Sequence, residues 1–276
     1  MDELQAALSE AARAIAGADR LLIGAGAGMG VDSGLPDFRG NQGFWNAYPA
    51  LRQQGVGFAE MANPRWFRHD VGQAWGFYGH RLNLYRRTEP HAGFAELLRW
   101  GERLPGGLFV YTSNVDGQFQ KAGFPGQRIV ECHGSIHHLQ CSAPCGEEVW
   151  PADGEAIDVD EANCRAAGNL PMCPKCAAPA RPNILMFSDY QWIDRRTEEQ
   201  LARFKAWLRD APPGGIVKIE LGAGTAVPSV RMTMDRVPGA LVRVNPREPD
   251  GPGGTISIPS GALGAITRIG ELLAPG

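Results

Sequence analysis

Nowhere in its 276 residues does the chain carry an apolar run of the length a bilayer-spanning helix needs. The opening residues hold Asp2, Glu3 and Glu10 instead of a basic cluster followed by an apolar stretch. That excludes the usual secretory leader pattern, and a cytoplasmic location is expected. A large charge of one sign is also missing: the net charge is −3, so there is no electrostatic case for nucleic acid as the main ligand. No internal repeat and no long low-complexity tract occur. Cysteine is scarce, with six in all, but four of them fall in two close pairs. In a cytosolic chain that pattern points to metal binding more than to disulfides.

The rest of the composition is that of an ordinary globular protein, with 43% hydrophobic and 21% charged residues. The length suits one full-size domain, or one large domain with a small insert. Leu4, Leu8, Ala11, Ala12 and Ile15 lie at helical spacing, so an amphipathic helix opens the chain. Residues 20–23 read as a short buried strand. Further strands are expected at 108–112, 128–132, 183–187, 216–221 and 240–244, with helices at 92–103, 197–209 and 261–273. Strands alternating with helices predict a parallel sheet with helices on both faces. Two stretches break the rhythm. Residues 42–85 are rich in aromatics and read as helices and loops beside a cleft; residues 140–181 are rich in Cys, Pro, Ala and Gly and read as a small inserted module.

The first strand runs into Gly24-Ala25-Gly26-Ala27-Gly28-Met29-Gly30. Small residues after a strand let backbone N–H groups approach a pyrophosphate. The G-x-G-x-x-G pattern does not fit in any register, and no acidic residue stands about 20 residues on to take a ribose hydroxyl. An ordinary dehydrogenase is therefore disfavoured, and the turn alone leaves nucleotide binding and a purely structural role both open. The continuation is more specific. Gly26-Ala27-Gly28-Met29-Gly30-Val31-Asp32-Ser33-Gly34-Leu35-Pro36-Asp37-Phe38-Arg39 resembles the opening motif of sirtuins, G-A-G-x-S-x-x-S-G-I-P-x-F-R. The resemblance implies cofactor contacts at Gly26, Ala27, Gly28, Asp37, Phe38 and Arg39, with Phe38 by the nicotinamide. Gly30 departs from the family's serine.

Two central motifs extend the resemblance. Thr112-Ser113-Asn114-Val115-Asp116-Gly117, after a predicted strand, resembles T-Q-N-I-D-G. Asn, Asp and Gly are also turn formers, which is the plainer reading. The resemblance implies that Ser113, Asn114, Val115 and Asp116 bind NAD, and that Asn114 and Asp116 hold its nicotinamide ribose and carboxamide. Ser113 stands for the usual Gln, and Gln118-Phe119 for the usual Leu-His. Glu131-Cys132-His133-Gly134-Ser135 resembles E-x-H-G-S. A histidine there can take a proton near neutral pH, and the resemblance implies that His133 activates a ribose hydroxyl. A Cys132–His133 nucleophilic pair is rejected because neighbours in a strand point to opposite faces. His137 and His138 read as surface or packing residues.

Cys141-x-x-x-Cys145 and Cys173-x-x-Cys176 make two clips. Four thiolates close one tetrahedral zinc site and leave no position for water, so the zinc would be structural. Cys132 and Cys164 fall outside the pattern. The resemblance continues through 181–189, near R-P-x-V-V-x-F-G-E, which implies substrate contacts at Phe187 and Ser188 by strand pairing with a peptide. It ends with Gly222-Ala223-Gly224, where the family has G-T-S, and with Asn245 at the adenosine. Tyr78 and Arg81 share a helix face and could hold a carboxylate, as in sirtuins that prefer succinyl- or malonyl-lysine; the plainer reading is a polar helix face.

The expected fold is α/β: a Rossmann-like parallel sheet with helices on both faces, plus a small zinc-binding module and a helical insert. One sirtuin-type catalytic domain would span 1–276. Within it, 1–41, 86–139 and 182–276 form the large domain, 42–85 the insert and 140–181 the zinc module. The implied function is NAD-dependent removal of acyl groups from lysines of proteins or peptides, with NAD as co-substrate and one zinc ion. No membrane partner is expected, and the sequence is silent on oligomeric state. A protein mono-ADP-ribosyltransferase and a non-catalytic NAD-sensing module are the rival readings.

Overall fold

A computed structural model describes residues 3–37, 40–143 and 145–274. Its strands are β1 (Arg20–Ala25), β2 (Leu108–Thr112), β3 (Ile129–Glu131), β4 (Gly134–Cys141), β5 (Val149–Pro151), β6 (Asp158–Asp160), β7 (Arg165–Ala167), β8 (Ala180–Ile184), β9 (Ile216–Leu221), β10 (Ala240–Val244) and β11 (Ile256–Ile258). Six of them form one parallel sheet in the order β11-β10-β9-β1-β2-β3. The order reverses direction between β1 and β9. In an open α/β sheet that reversal leaves a crevice at the carboxyl ends of the two strands.

Alternation along the strands sorts the side chains to two faces. Leu21, Ile23 and Ala25 of β1, with Val217, Ile219 and Leu221 of β9, point to one side. They meet Leu8 and Ile15 of the helix Glu3–Ala16, Leu97 and Trp100 of Ala92–Arg103, and Ile266 and Ile269 of Ala262–Leu273. Leu22 and Phe109 point to the other side and meet Phe204 and Trp207 of Arg195–Arg209 and Met234 of Ser229–Arg236. Helices thus cover both faces, as the sequence rhythm predicts.

A second body sits over the carboxyl ends of the strands. The helix Val71–Arg87 carries Ala74, Trp75, Phe77, Tyr78 and Leu82 into a separate core, shared with Phe44 and Leu51 from the preceding helices and with Ile136 and Leu139 of β4. Asp70 caps this helix, accepting from the Gln73 amide at 3.0 Å, and takes both guanidinium nitrogens of Arg165 in β7. The helical stretch and the cysteine-bearing stretch are therefore joined by packing and by an ion pair.

One expected strand is displaced. The run 183–187 does not join the parallel sheet. The strand is β8, at Ala180–Ile184, and it pairs antiparallel with β4 in a three-stranded sheet β5-β4-β8. The apolar residues after Ile184 leave that sheet: the Phe187 amide donates to the Ala62 carbonyl at 2.9 Å. The strands β4 and β11 and the helix Ser229–Arg236 have no counterpart among the expected elements. No helix among the described residues is long and apolar enough to cross a membrane.

Candidate functional site

Two glycine loops face each other across the crevice. The first, after β1, is a pair of short 3-10 turns over Ala27–Met29 and Val31–Ser33. The second follows β9. Gly28 N–H donates to the Gly222 carbonyl at 3.0 Å, and Gly26 N–H to the Leu221 carbonyl at 3.0 Å. These two amides are thus committed to the neighbouring loop. The glycines at 26 and 28 serve close approach between loops; their amides are not the donors of a phosphate cradle. Ala223 is buried, and its carbonyl accepts from Asn245 Nδ2 at 2.9 Å. Asn245 Oδ1 in turn accepts from the amides of Arg247 and Glu248, at 3.0 and 3.1 Å. Gly224 lies beside Thr225, whose hydroxyl donates to Glu248 at 2.6 Å. Asp37 meets Arg247 at 3.5 Å, which ties the end of the first loop to the segment after β10. Phe38 and Arg39 lie outside the described residues.

The chain after β2 closes the floor. Ser113 N–H donates to the Ala25 carbonyl at 3.1 Å, and Asn114 Nδ2 donates to the Gly26 carbonyl at 3.0 Å. The first two sequence motifs therefore form one bonded unit. Val115 is buried, and its carbonyl accepts from the Ile136 amide at 3.0 Å. Asp116 is also buried, with Oδ1 accepting from the Gln118 amide at 3.0 Å. Burial raises its pKa to about 6, with Glu131 adding to the rise and the Gln118 amide and Arg81 opposing it. The two departures that follow have structural roles. Gln118 Nε2 donates to the Tyr85 and Thr88 carbonyls, at 3.2 and 3.4 Å. The Phe119 ring sits 4.9 Å from Phe94 and 5.0 Å from Phe124, edge to face.

His133 lies just past β3, in the turn before Gly134. Gly134 has φ +78°, and a Cβ there would lie 2.0 Å from the Asn183 carbonyl oxygen. A side chain cannot replace it, and this close approach fixes the turn that carries His133. The His133 ring is partly exposed, and burial lowers its pKa from the ordinary histidine value, with the Ser113 backbone opposing. Its Nε2 lies 3.0 Å from Ser229 Oγ. Behind it, Glu131 is buried and held by Arg196, by Gln200 and, through its carbonyl, by Thr197. Cys132 is no partner for His133: burial pushes its thiol up to about 12. His133 lies beyond the end of β3, so strand alternation is not the reason the pair fails. His137 Nε2 donates to the Asp116 carbonyl at 2.9 Å, which makes it a packing residue of the floor.

Tyr78 and Arg81 are both buried, so the helix face that carries them does not lie in solvent. Arg81 Nε donates to Tyr85 Oη at 3.0 Å. Its guanidinium carbon sits 5.2 Å from the Phe77 ring centroid, 5.9 Å from Tyr78 and 5.4 Å from Tyr85. The Tyr78 hydroxyl is buried with no hydrogen-bond partner among the described residues, and burial raises its pKa to about 12. Phe187 is 40% exposed and touches Phe58 edge to face at 5.9 Å. Ser188 takes the left-handed conformation, φ +55°. A glycine would hold that conformation without cost.

The four paired cysteines meet as the spacing predicts. The sulfurs of Cys141, Cys145, Cys173 and Cys176 all lie within 4.8 Å of one another, with Cys141–Cys176 and Cys145–Cys173 each at 3.6 Å. A tetrahedral zinc with bonds of about 2.3 Å puts its sulfurs about 3.8 Å apart, so the donor set fits zinc. Cys141 and Gly134 are the two ends of β4, on the order of 20 Å apart at the rise of a strand. This metal site is therefore remote from His133. Sequence reasoning missed Ser229 and Tyr85. Neither belongs to a motif, and only the fold brings Ser229 to His133 and Tyr85 to Arg81.

A doubly covered parallel sheet, paired glycine loops at its reversal point, a histidine turn and a four-cysteine module define an α/β nucleotide-site protein with a structural metal module. A family model described as the Sir2 family matches residues 26–203, and the chain belongs to that family. Among its relatives is a protein of Thermococcus sibiricus described as an NAD-dependent protein deacylase. The two are 32% identical over 185 residues, covering 66% of this chain and 65% of that protein. A protein of Archaeoglobus fulgidus, NAD-dependent protein deacylase 1, is 27% identical over 244 residues, covering 86% of this chain and 85% of its own length. The fold also matches the crystal structure of a Sir2 homologue complexed with NAD, with TM-score 0.71 and 23% identity, covering 96% of this chain and 93% of that one.

Proposed function

We propose that this protein removes acyl groups from lysine side chains of proteins or peptides in an NAD-dependent reaction, with His133 as the general base. The observation that carries the reading is His133 itself. It stands in the E-x-H-G-S motif, beside Ser113 at the floor of the crevice and beside Ser229 at the helix after the second glycine loop. Burial lowers the pKa of its imidazole and so favours the neutral form, the one that accepts a proton. Bound NAD supplies the ribose carbon that bears nicotinamide, the atom at which the acyl oxygen attacks. Asn114, Asp116 and Phe38 would hold the nicotinamide end, and Gly26, Ala27, Gly28, Asp37, Arg39, Ser113, Val115, Gly222, Ala223, Gly224 and Asn245 the remainder. In the described structure Asn114 already braces the first glycine loop, and Asn245 the second. A buried carboxyl titrating near pH 6 can donate to or accept from a carboxamide, which suits Asp116. His133 Nε2 would take the proton of a ribose hydroxyl.

The region 140–181 is assigned as the zinc module, with Cys141, Cys145, Cys173 and Cys176 as ligands; the region 42–85 as the helical insert; and 1–41, 86–139 and 182–276 as the large domain. Phe187 and Ser188 would line the peptide. A specific observation favours an acidic acyl group, succinyl or malonyl. Among the described residues the buried Tyr78 hydroxyl has no hydrogen-bond partner, and the Arg81 guanidinium is boxed by three aromatic rings. A carboxylate would supply an acceptor to the Tyr78 hydroxyl and an opposite charge beside Arg81.

The test is incubation of the protein with NAD and an acetyl-lysine or succinyl-lysine peptide, following acyl loss and nicotinamide release by mass spectrometry. Equal amounts of the two, lost in His133→Ala, are expected. Nicotinamide release without acyl loss would replace this reading with ADP-ribosyl transfer. No release from folded, zinc-containing protein would replace it with a sensing module.

A further inference from the structure

His133 has a partner that no motif announces. Its Nε2 lies 3.0 Å from the hydroxyl oxygen of Ser229, the first residue of the helix Ser229–Arg236. Residues 225–228 before it are exposed, whereas the helix itself is anchored on three sides. Val230 and Met234 are buried against the sheet. Arg231 Nε donates to the Ala223 carbonyl of the second glycine loop at 3.2 Å. Buried Lys218 of β9 donates to the Met234 carbonyl at 2.7 Å, and also to the Val237 carbonyl just beyond the helix. The Ser229 backbone is therefore fixed relative to the crevice, and its hydroxyl lies within hydrogen-bond distance of the histidine.

A neutral imidazole has two tautomers and can flip its ring, so a histidine base must be told which nitrogen to keep unprotonated. The Ser113 backbone supplies one restraint, favouring a ring N–H toward it. A serine hydroxyl is both donor and acceptor. It can donate to Nε2 of the neutral ring, then rotate and accept from Nε2–H once the ring has taken a proton.

We propose that Ser229 is the positioning residue of His133, its hydroxyl donating to Nε2 and so holding the imidazole in the tautomer that leaves Nε2 unprotonated. The inference rests on the deacylase reading above for its catalytic consequence, though not for the contact itself. During the reaction a substrate hydroxyl displaces the serine hydrogen from the lone pair and passes its own proton to Nε2. The serine oxygen then accepts that N–H. One O–H bond breaks, one N–H bond forms, and Ser229 neither gains nor loses a proton.

Wild type, Ser229→Ala and Ser229→Thr are compared in two ways. Nitrogen NMR of histidine-labelled protein, with His133→Ala to assign the signal, should show one tautomer protonated at Nδ1 in wild type and in Ser229→Thr. In Ser229→Ala the two ring nitrogens should average. In the acyl-peptide assay, Ser229→Ala should lose about tenfold or more in kcat, with the KM for NAD within about twofold of wild type, and Ser229→Thr should recover most of the loss. An Ala variant with the wild-type tautomer and kcat overturns the proposal, and so does a loss confined to the KM for NAD. If Ser229→Ala does not fold, Ser229→Cys, which keeps the volume with a weaker donor, is judged by the same two readouts. A wild-type protein that releases no acyl group sinks the deacylase reading alone, because the tautomer measurement still decides whether Ser229 sets the ring.

Discussion

Gly222 and Gly28 meet backbone to backbone: a Cβ built on Gly222 would lie 2.4 Å from the Gly28 Cα, and Gly222 itself has φ +61°. The two glycine loops are therefore a single close-packed joint. Gly222→Ala carries a conformational cost of about 1 kcal/mol for the left-handed backbone and an overpacking cost of about 1–3 kcal/mol. It is expected to lose about 2–4 kcal/mol in urea unfolding and to weaken NAD binding measured by calorimetry. Wild-type values for both would show that the joint is loose.

Asp116 is held protonated up to a pH of about 6 by burial, against 3.8 for an ordinary aspartate. The folded state binds this proton more tightly than the unfolded chain does. Its stabilising contribution is complete below about pH 4 and is lost as the pH rises through about 6. Asp116→Asn keeps the acceptor for the Gln118 amide and removes the charge. The variant should be more stable than wild type by roughly 1–3 kcal/mol at pH 7.5, with no gain at pH 4, while deacylation falls. A stability difference that does not change with pH would refute the sign.

Removing the Tyr78 hydroxyl removes a buried polar atom that has no hydrogen-bond partner among the described residues. Tyr78→Phe should therefore stabilise the free protein by about 1 kcal/mol while slowing succinyl-peptide turnover more than acetyl-peptide turnover. Arg81→Met should show the same substrate bias more strongly. Equal effects on the two peptides in both variants would end the acidic-acyl reading.

Ser188 occupies a left-handed conformation at φ +55° in the segment that bridges to Ala62. Ser188→Gly relieves a penalty of about 1–2 kcal/mol and returns about 0.4–1 kcal/mol to the unfolded chain. A net gain of about 0.5–1 kcal/mol, seen as a higher Tm, is expected. A lower Tm would mean that the hydroxyl matters more than the backbone.

The cysteine cluster should hold one zinc per chain by elemental analysis. Cys173→Ser should lose it and unfold the surrounding module, and a strong chelator should lower Tm and activity together. Cys164→Ser and Cys132→Ser should keep the metal at one per chain, because neither sulfur belongs to the cluster.

The elements read correctly from sequence are those with strong periodicity. β1 is a nearly unbroken apolar run, β9 is apolar apart from Lys218 and Glu220, and Ala92–Arg103 and Ala262–Leu273 carry helical stripes. β8 was displaced by about three residues for a physical reason. Ile184-Leu185-Met186-Phe187 has the composition of a strand, yet the chain turns off at Ile184 to cross to Ala62, and Pro182 sits inside the true strand. β4 was hidden by the polar pair His137–His138 and by a register shift between Ser135 and Leu139. The helix Ser229–Arg236 has only short apolar spacing and follows Pro228.

What the sequence by itself determined is the chemistry: a glycine turn, an Asn–Asp pair, a histidine motif and four cysteines, each legible because it needs particular residues at fixed spacing. Tertiary structure alone decided which groups those residues meet. Ser229 beside His133, Gly222 against Gly28 and Tyr85 on Arg81 Nε are contacts across the crevice or within a buried helix face. Which side chains face the crevice depends on where the chain crosses the sheet and how the second body packs upon it. Such placements follow from the sum of many weak packing energies, which local pattern does not carry.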